Sequence, residues 1–358
     1  MKAAFACLFF FISLFLGAQN PDLQPFSRFI AGINGGTIWG HNPPVYHLAH
    51  SHPLHYWLEY QVRKPQKEWS RAWNHPLWGF GIKYLDFRSP VLGKSIVALT
   101  YLEPRLFSVF TYRIGTGFSV QTHPFNSDNN STNLMLGSHL AFVMHLQFNC
   151  YLPAGKNSGF RMGWGLTHLS NGAFSQPNSG VNSFFLSAGW FFRKPVKAMP
   201  APDSTGGGDW KKGFDFLVST SAGLVEKFPV GGPKYPVYQI HGRLQYRIGR
   251  KSSLAAGLDW KNNTSVEAYL DENPALGRHA RVLGFAIGHE LHISSVSLVT
   301  EAGWYVWKHH DVFPGIYQRY GLRKYWSDHC FSGIYLSTHR AKAECLEWTL
   351  GYKFSSGR

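Results

Sequence analysis

The run "FRMGWGLTHLS", residues 160–170, alternates without a break. Phe160, Met162, Trp164 and Leu166 share one parity, and Arg161, Gly163, Gly165 and Thr167 share the other. Successive side chains of an extended strand point to opposite faces, so one face here is large and apolar and the other small or charged. Two steps further, the apolar face receives His168 and Ser170. The strand therefore ends with an imidazole and a hydroxyl where apolar surroundings are expected.

The same period recurs along the chain. Phe110, Tyr112, Ile114 and Phe118 oppose Thr111, Arg113, Gly115 and Gly117. Leu134, Leu136, Leu140, Phe142, Met144, Leu146 and Phe148 oppose His139, His145, Gln147 and Asn149. Tyr238, Ile240, Leu244, Tyr246 and Ile248 oppose Gln239, His241, Arg243 and Arg247. Eight strands are expected between residues 28 and 193 and eight more between 213 and 354, one of them spanning 133–150. Short connections such as "RIGRKSS" and "ISSVS" alternate with long polar ones such as "QTHPFNSDNNSTN" and "KNNTSVEAYLDENPALGRHA". Short turns on one side and long loops on the other are the pattern of outer-membrane barrels. "KPQKEWSRAWNHP" (64–76) departs from it, being long where a short turn is expected. The last strand, with Leu346, Trp348, Leu350, Tyr352 and Phe354 on one face, ends the chain on aromatics.

The fold class expected is thus all-β, an antiparallel transmembrane β-barrel of the outer-membrane type. "RKPVKAMPAPDSTGGGDWKKG", rich in Pro, Gly and Lys, reads as a linker longer than a turn requires. Two arrangements fit: one barrel of about 14–16 strands, which is favoured, or two eight-stranded barrels in series. The expected segments are a signal peptide (1–18), a barrel half carrying the site (19–195), a linker (196–212) and a second set of strands (213–358).

Composition agrees. Lys2, an apolar core to Leu16 and the small residues Gly17 and Ala18 read as a secretory signal. Aromatic residues make up 16% of the chain and charged residues only 15%, with 37 Gly, which suits girdles outside and small residues inside a barrel. A net charge of +15 favours an anionic partner such as a phosphorylated lipid surface. Nucleic acid is not expected, because no motif for it occurs. Cys150, Cys330 and Cys345 have no metal-ligand spacing, and His309–His310 reads as solvated loop.

On the strand after "FRMGWGLTHLS", Phe184, Leu186, Ala188, Trp190 and Phe192 form the outward row, and Asn182 extends it toward the same end as His168 and Ser170. By the loop pattern this is the extracellular end. Residues i and i+2 on one strand face lie about 6–7 Å apart at Cα. An imidazole can then take a proton from a hydroxyl and return it to a leaving alcohol. The Asn and Gly of "SNG" and "PNSG" permit turns with positive φ and can supply oxyanion donors.

The run "THLSNGAFSQPNSGVN" (167–182) resembles the lipid A 3-O-deacylase (PagL) family, outer-membrane serine hydrolases with an H-x-S-N motif followed by P-N-x-G. The resemblance is sharp over residues 160–192. It implies His168 as base, Ser170 as nucleophile, Asn178 as an oxyanion-hole residue, and Asn171 and Gly172 as shapers of the adjacent turn. It implies lipid A or lipopolysaccharide as substrate, the cell outer membrane as location, and neither a metal nor an organic cofactor; a homodimer is left open. One position departs: the family's triad Glu, twelve residues after the serine, is Asn182 here. No Asp or Glu occurs between residues 129 and 202, and Asp86 is a distant alternative acid.

The second half lies outside that motif. "STHRAKAECLEW" offers His339, read as structural, with Ala341 where a nucleophile would stand. His241, Arg243, Arg247, Asp259, Glu301, Arg319 and Arg323 share inward parity. They read either as a lumenal salt-bridge network or as a basic anion channel, and the alternative function is a non-catalytic, porin-like barrel.

Overall fold

A computed structural model describes residues 25–63, 68–196, 212–227, 230–340 and 342–355. The expected signal segment, nearly all of the linker, and Ala341 lie outside the described residues. The first unit holds β1 (Phe26–Ile38), β2 (Leu54–Arg63), β3 (Leu77–Asp86), β4 (Lys94–Glu103), β5 (Arg105–Phe107), β6 (Phe110–Gln121), β7 (Leu140–Pro153), β8 (Ser158–Ser170) and β9 (Val181–Pro195). The second holds β10 (Gly213–Glu226), β11 (Lys234–Arg247), β12 (Ser252–Asn263), β13 (Gly277–Ile293), β14 (Val296–His310), β15 (Ile316–Tyr325), β16 (Cys330–His339) and β17 (Lys342–Ser355).

Every pairing is antiparallel, and each unit closes on itself. β9 returns to β1 (Ile33 opposite Ala188) and β4 pairs with β6, with β5 a short edge of β6. β17 returns to β10 (Ser221 opposite Thr349). The chain is therefore two eight-stranded barrels, and the favoured single barrel of 14–16 strands is corrected to its alternative. Strand number could not separate the two, since both need the same strands; the partner of β1 decides.

Eight strands leave an interior just wide enough for side chains. In the first barrel Arg113 donates to Glu59 at 2.7 Å and to Glu103 at 2.8 Å, and Arg161 of β8 also reaches Glu59. These side chains are almost wholly buried, which is tolerable because each charge is paired and hydrogen-bonded. Trp57 slides over Gly32 and Gly189, where a Cβ would fall 2.3–2.4 Å from its ring. Tyr151 donates to Glu103 at 2.8 Å and meets the Gln61 amide at 3.3 Å. Tyr151→Phe removes these bonds while Glu103 keeps Thr111 and Arg113 and Gln61 keeps Glu103, and urea unfolding should register a loss of about 1 kcal/mol.

The second barrel is filled in the same way. Arg243 bridges Asp259 and Glu301, Arg319 bridges Glu301 and Glu347, and Arg323 pairs with Glu290. The inward row read from the sequence forms a salt-bridge network completed by Glu290 and Glu347, except that Arg247, half-buried, donates to the carbonyls of Gly249 and Arg250. His339 is also inward and buried, against Tyr305 and Glu344. It keeps the inward parity of Phe331, Tyr335 and Ser337, and the register shift beside it comes from an extra residue, Glu344, in β17. His309 is exposed, but His310 is buried at the end of β14, so the pair is not simply solvated loop.

Outside, the rows are apolar and open: Phe160, Met162 and Trp164 are 52–55% exposed. One apolar cluster sits inside the first barrel, joining Val97, Leu99, Val143, Leu169 and Val181 to loop residues Val45, Leu48, Phe87, Leu92, Met135 and Leu136. The last two were expected on a strand. Residues 133–139 are loop instead, because Asn133 Oδ1 accepts from the backbone N–H groups of Met135 and Leu136. Short helices α1 (Glu68–Ala72) and α2 (Thr264–Glu272) occupy two of the long connections.

Candidate functional site

Leu169 and Val181 are fully buried in the apolar cluster of the first barrel. That anchors the ends of β8 and β9 and fixes the facing of their neighbours. His168, Ser170 and Asn182 are consequently held on the outward parity, half-buried at one end of the barrel wall. His168 stands directly opposite Asn182 in the β8–β9 ladder. Side chains at such cross-strand positions meet readily.

They do meet. The His168 Nδ1–H donates to Asn182 Oδ1 at 2.7 Å. An imidazole protonated at Nδ1 carries its lone pair at Nε2, the form required of a general base. Asn182 thus makes the contact for which a triad carboxylate would serve. Asp86, the distant acid candidate, accepts from the Arg88 backbone N–H at the end of β3.

Ser170 meets Asn178, whose Nδ2 lies 3.0 Å from Ser170 Oγ and whose Oδ1 lies 3.2 Å from it. Asn178 Oδ1 also accepts the Asn171 backbone N–H at 3.2 Å, so the amide spans hydroxyl and turn. Asn171 in turn donates through Nδ2 to Ser138. Gly172, at φ +66°, occupies the left-handed region that a tight exit from β8 requires. The β8–β9 loop is further tied down where Ser179 N–H and Gly180 N–H donate to the carbonyls of Leu134 and Met135.

Gly180 has a role that the motif alone did not reveal. Its φ is +74°, and a Cβ there would lie 2.8 Å from His168 Cε1. The backbone is a close wall for the imidazole. Gly180→Ala should push the ring aside and lower kcat about 10- to 100-fold, with folding intact by heat-modifiable gel mobility.

A second residue escaped the sequence reading altogether. Beyond β1 the chain continues alongside β9, with the Trp39 N–H donating to the Asn182 carbonyl at 2.8 Å. Two residues later His41 Nδ1 lies 3.1 Å from Asn182 Nδ2. His41 reaches the site only because β1 closes onto β9, a pairing no local motif announces. All the candidate residues of the first barrel are therefore gathered at one end, whereas His339 is buried inside the second.

Comparison with known proteins accords with this placement. Residues 55–191 match the family described as lipid A 3-O-deacylase (PagL), and residues 213–356 match acyloxyacyl hydrolase, C-terminal domain. The likeness is wider than residues 160–192, and the second half, which the motif left unexplained, has a match of its own. No curated protein matches. Among solved structures, a mutant Rh. blastica porin is 7% identical, with coverage of 93% of this chain and 99% of that one and a TM-score of 0.19. CdiB from Acinetobacter baumannii is 8% identical, covering 92% and 60%, at a TM-score of 0.19. Likenesses at that score carry no argument. The two family matches together take in most of the chain, the first barrel matching lipid A 3-O-deacylase (PagL) and the second acyloxyacyl hydrolase, C-terminal domain.

Proposed function

We propose that the first barrel is a serine esterase of the outer membrane that removes a 3-hydroxyacyl chain from lipid A. The observation that carries this reading is the 2.7 Å bond from His168 Nδ1–H to Asn182 Oδ1, made on the outward face two residues from Ser170. It leaves Nε2 as the base, on the surface where an acyl chain in the leaflet would approach.

The reaction runs in two halves. Ser170 Oγ attacks the ester carbonyl carbon while His168 Nε2 takes the hydroxyl proton. The Asn178 amide and nearby backbone N–H groups donate to the developing oxyanion. The C–O bond to the sugar breaks, and the imidazolium returns its proton to the leaving alcohol. Water then attacks the acyl-serine, His168 again taking and returning the proton, and a 3-hydroxy fatty acid departs. These residues suffice without a metal or organic cofactor.

The membrane setting is supported by the exposed apolar rows that ring each barrel, including Leu186 and Phe192 of the first and Leu350 and Trp348 of the second. The net charge of +15 would draw the phosphates of lipid A, a contribution that salt screens. A porin-like channel gains no support from interiors filled with paired side chains.

The test is mass spectrometry of lipid A incubated with the refolded full chain. Loss of one 3-hydroxyacyl mass, with the free acid recovered, is the expected result. An unchanged spectrum from folded protein, beside an active family member, would sink the proposal.

A further inference from the structure

An asparagine in the place of a triad acid has a weakness that a carboxylate lacks. Rotated by half a turn, its amide presents NH₂ to the imidazole instead of C=O. The imidazole must then accept at Nδ1 and carry its proton at Nε2, where it cannot act as base. In one serine protease the wrong tautomer produced by an acid-to-Asn change costs about 10⁴ in rate. Something must hold the Asn182 amide the right way round.

We infer that His41 is a positioning residue for the reaction, its Nδ1 accepting from Asn182 Nδ2 so that Asn182 Oδ1 faces the His168 Nδ1–H. The distances describe one chain of donation: His168 Nδ1–H to Oδ1 at 2.7 Å, then Nδ2–H to His41 Nδ1 at 3.1 Å. The reverse chain would need both imidazoles in their other tautomers. Only the forward chain survives the proton transfer, because an imidazolium at His168 must donate from Nδ1. The Asn182 backbone is pinned by Trp39, two residues before His41, so amide and acceptor are held by the same short segment. His41 touches neither the nucleophile nor the ester and acts through Asn182. This role rests on the esterase reading of His168 and Ser170.

The experiment pairs lipid A kinetics with nitrogen-15 NMR of histidine-labelled protein in nanodiscs, the His168 signals being identified by their loss in His168→Gln. The native protein should show His168 protonated at Nδ1 and bare at Nε2. His41→Ala should populate the opposite tautomer and lower kcat about 10- to 100-fold with KM unchanged. His41→Asn, which returns an acceptor near the position of Nδ1, should recover most of the rate. In an Asn182→Asp background, where both oxygens accept, His41→Ala should cost less than about twofold, whereas a merely structural role would cost the same in both backgrounds. An unchanged His168 tautomer in His41→Ala, or an equal rate loss in both backgrounds, overturns the inference. Absence of hydrolysis by the native protein would instead overturn the esterase reading, and the NMR arm would still decide the role of His41.

Discussion

Ser170→Ala should abolish deacylation, lowering kcat by about 10⁴-fold or more while the barrel still folds. The side chain is half-buried at the end of β8 and points away from the interior, so removing Oγ disturbs no core contact. Its partner Asn178 keeps the Asn171 backbone N–H as a donor to Oδ1. The measurement is single-turnover release of 3-hydroxy fatty acid, with heat-modifiable mobility confirming the fold. A variant that retains more than a few per cent of the native rate would show that another group makes the covalent bond or that water attacks directly. The residual rate is itself informative. Oxyanion donors and substrate binding can act without the nucleophile, and they set a floor above the uncatalysed reaction.

Much of this was legible because a barrel wall is a period-2 object. The outward Phe160, Met162 and Trp164 and the buried Arg161 and Thr167 follow directly from alternation. The positions of His168, Ser170 and Asn182 follow from continuing the same count. Parity failed where the backbone left the ladder. Leu134 and Leu136 keep the alternating spelling, yet Asn133 turns the chain there and buries Leu136 in the apolar cluster. In β17 a bulge adds Glu344 to the count, so that Glu344 and Cys345 are buried in succession.

Closure was the harder question. Whether β1 pairs with β9 or with the final strand is a contact between residues far apart in the chain, as Ile33 and Ala188 are, and the alternation of either strand is the same in both cases. Interior volume holds the physical answer. Arg113, Arg161, Trp57 and Tyr151 are large enough to fill eight strands and would line a wide, wet lumen in sixteen. The same closure brings His41 to the site, so the residue that sequence reading missed and the fold that it ranked second have one cause.

Asn182→Asp should raise kcat, by about 10²- to 10³-fold. Aspartate matches asparagine in length, so an oxygen stays 2.7 Å from His168 Nδ1, and a full negative charge now faces the imidazolium formed in the transition state. A change of acid to Asn elsewhere costs about 10⁴, part of it charge and part the wrong tautomer. Here the tautomer is already correct, because His41 orients the amide; the gain available to the carboxylate is the charge part alone. The gain should also depend on Ser170: in the double variant with Ser170→Ala the rate should fall to the same floor as in Ser170→Ala alone, since the carboxylate works only through the base and the base only through the nucleophile. Measured kcat values for the four proteins close the cycle. A gain of the full 10⁴ would mean that the native amide spends most of its time reversed. No gain at all would mean that proton transfer to His168 does not limit deacylation, and would move attention to how the acyl chain leaves the leaflet for the site.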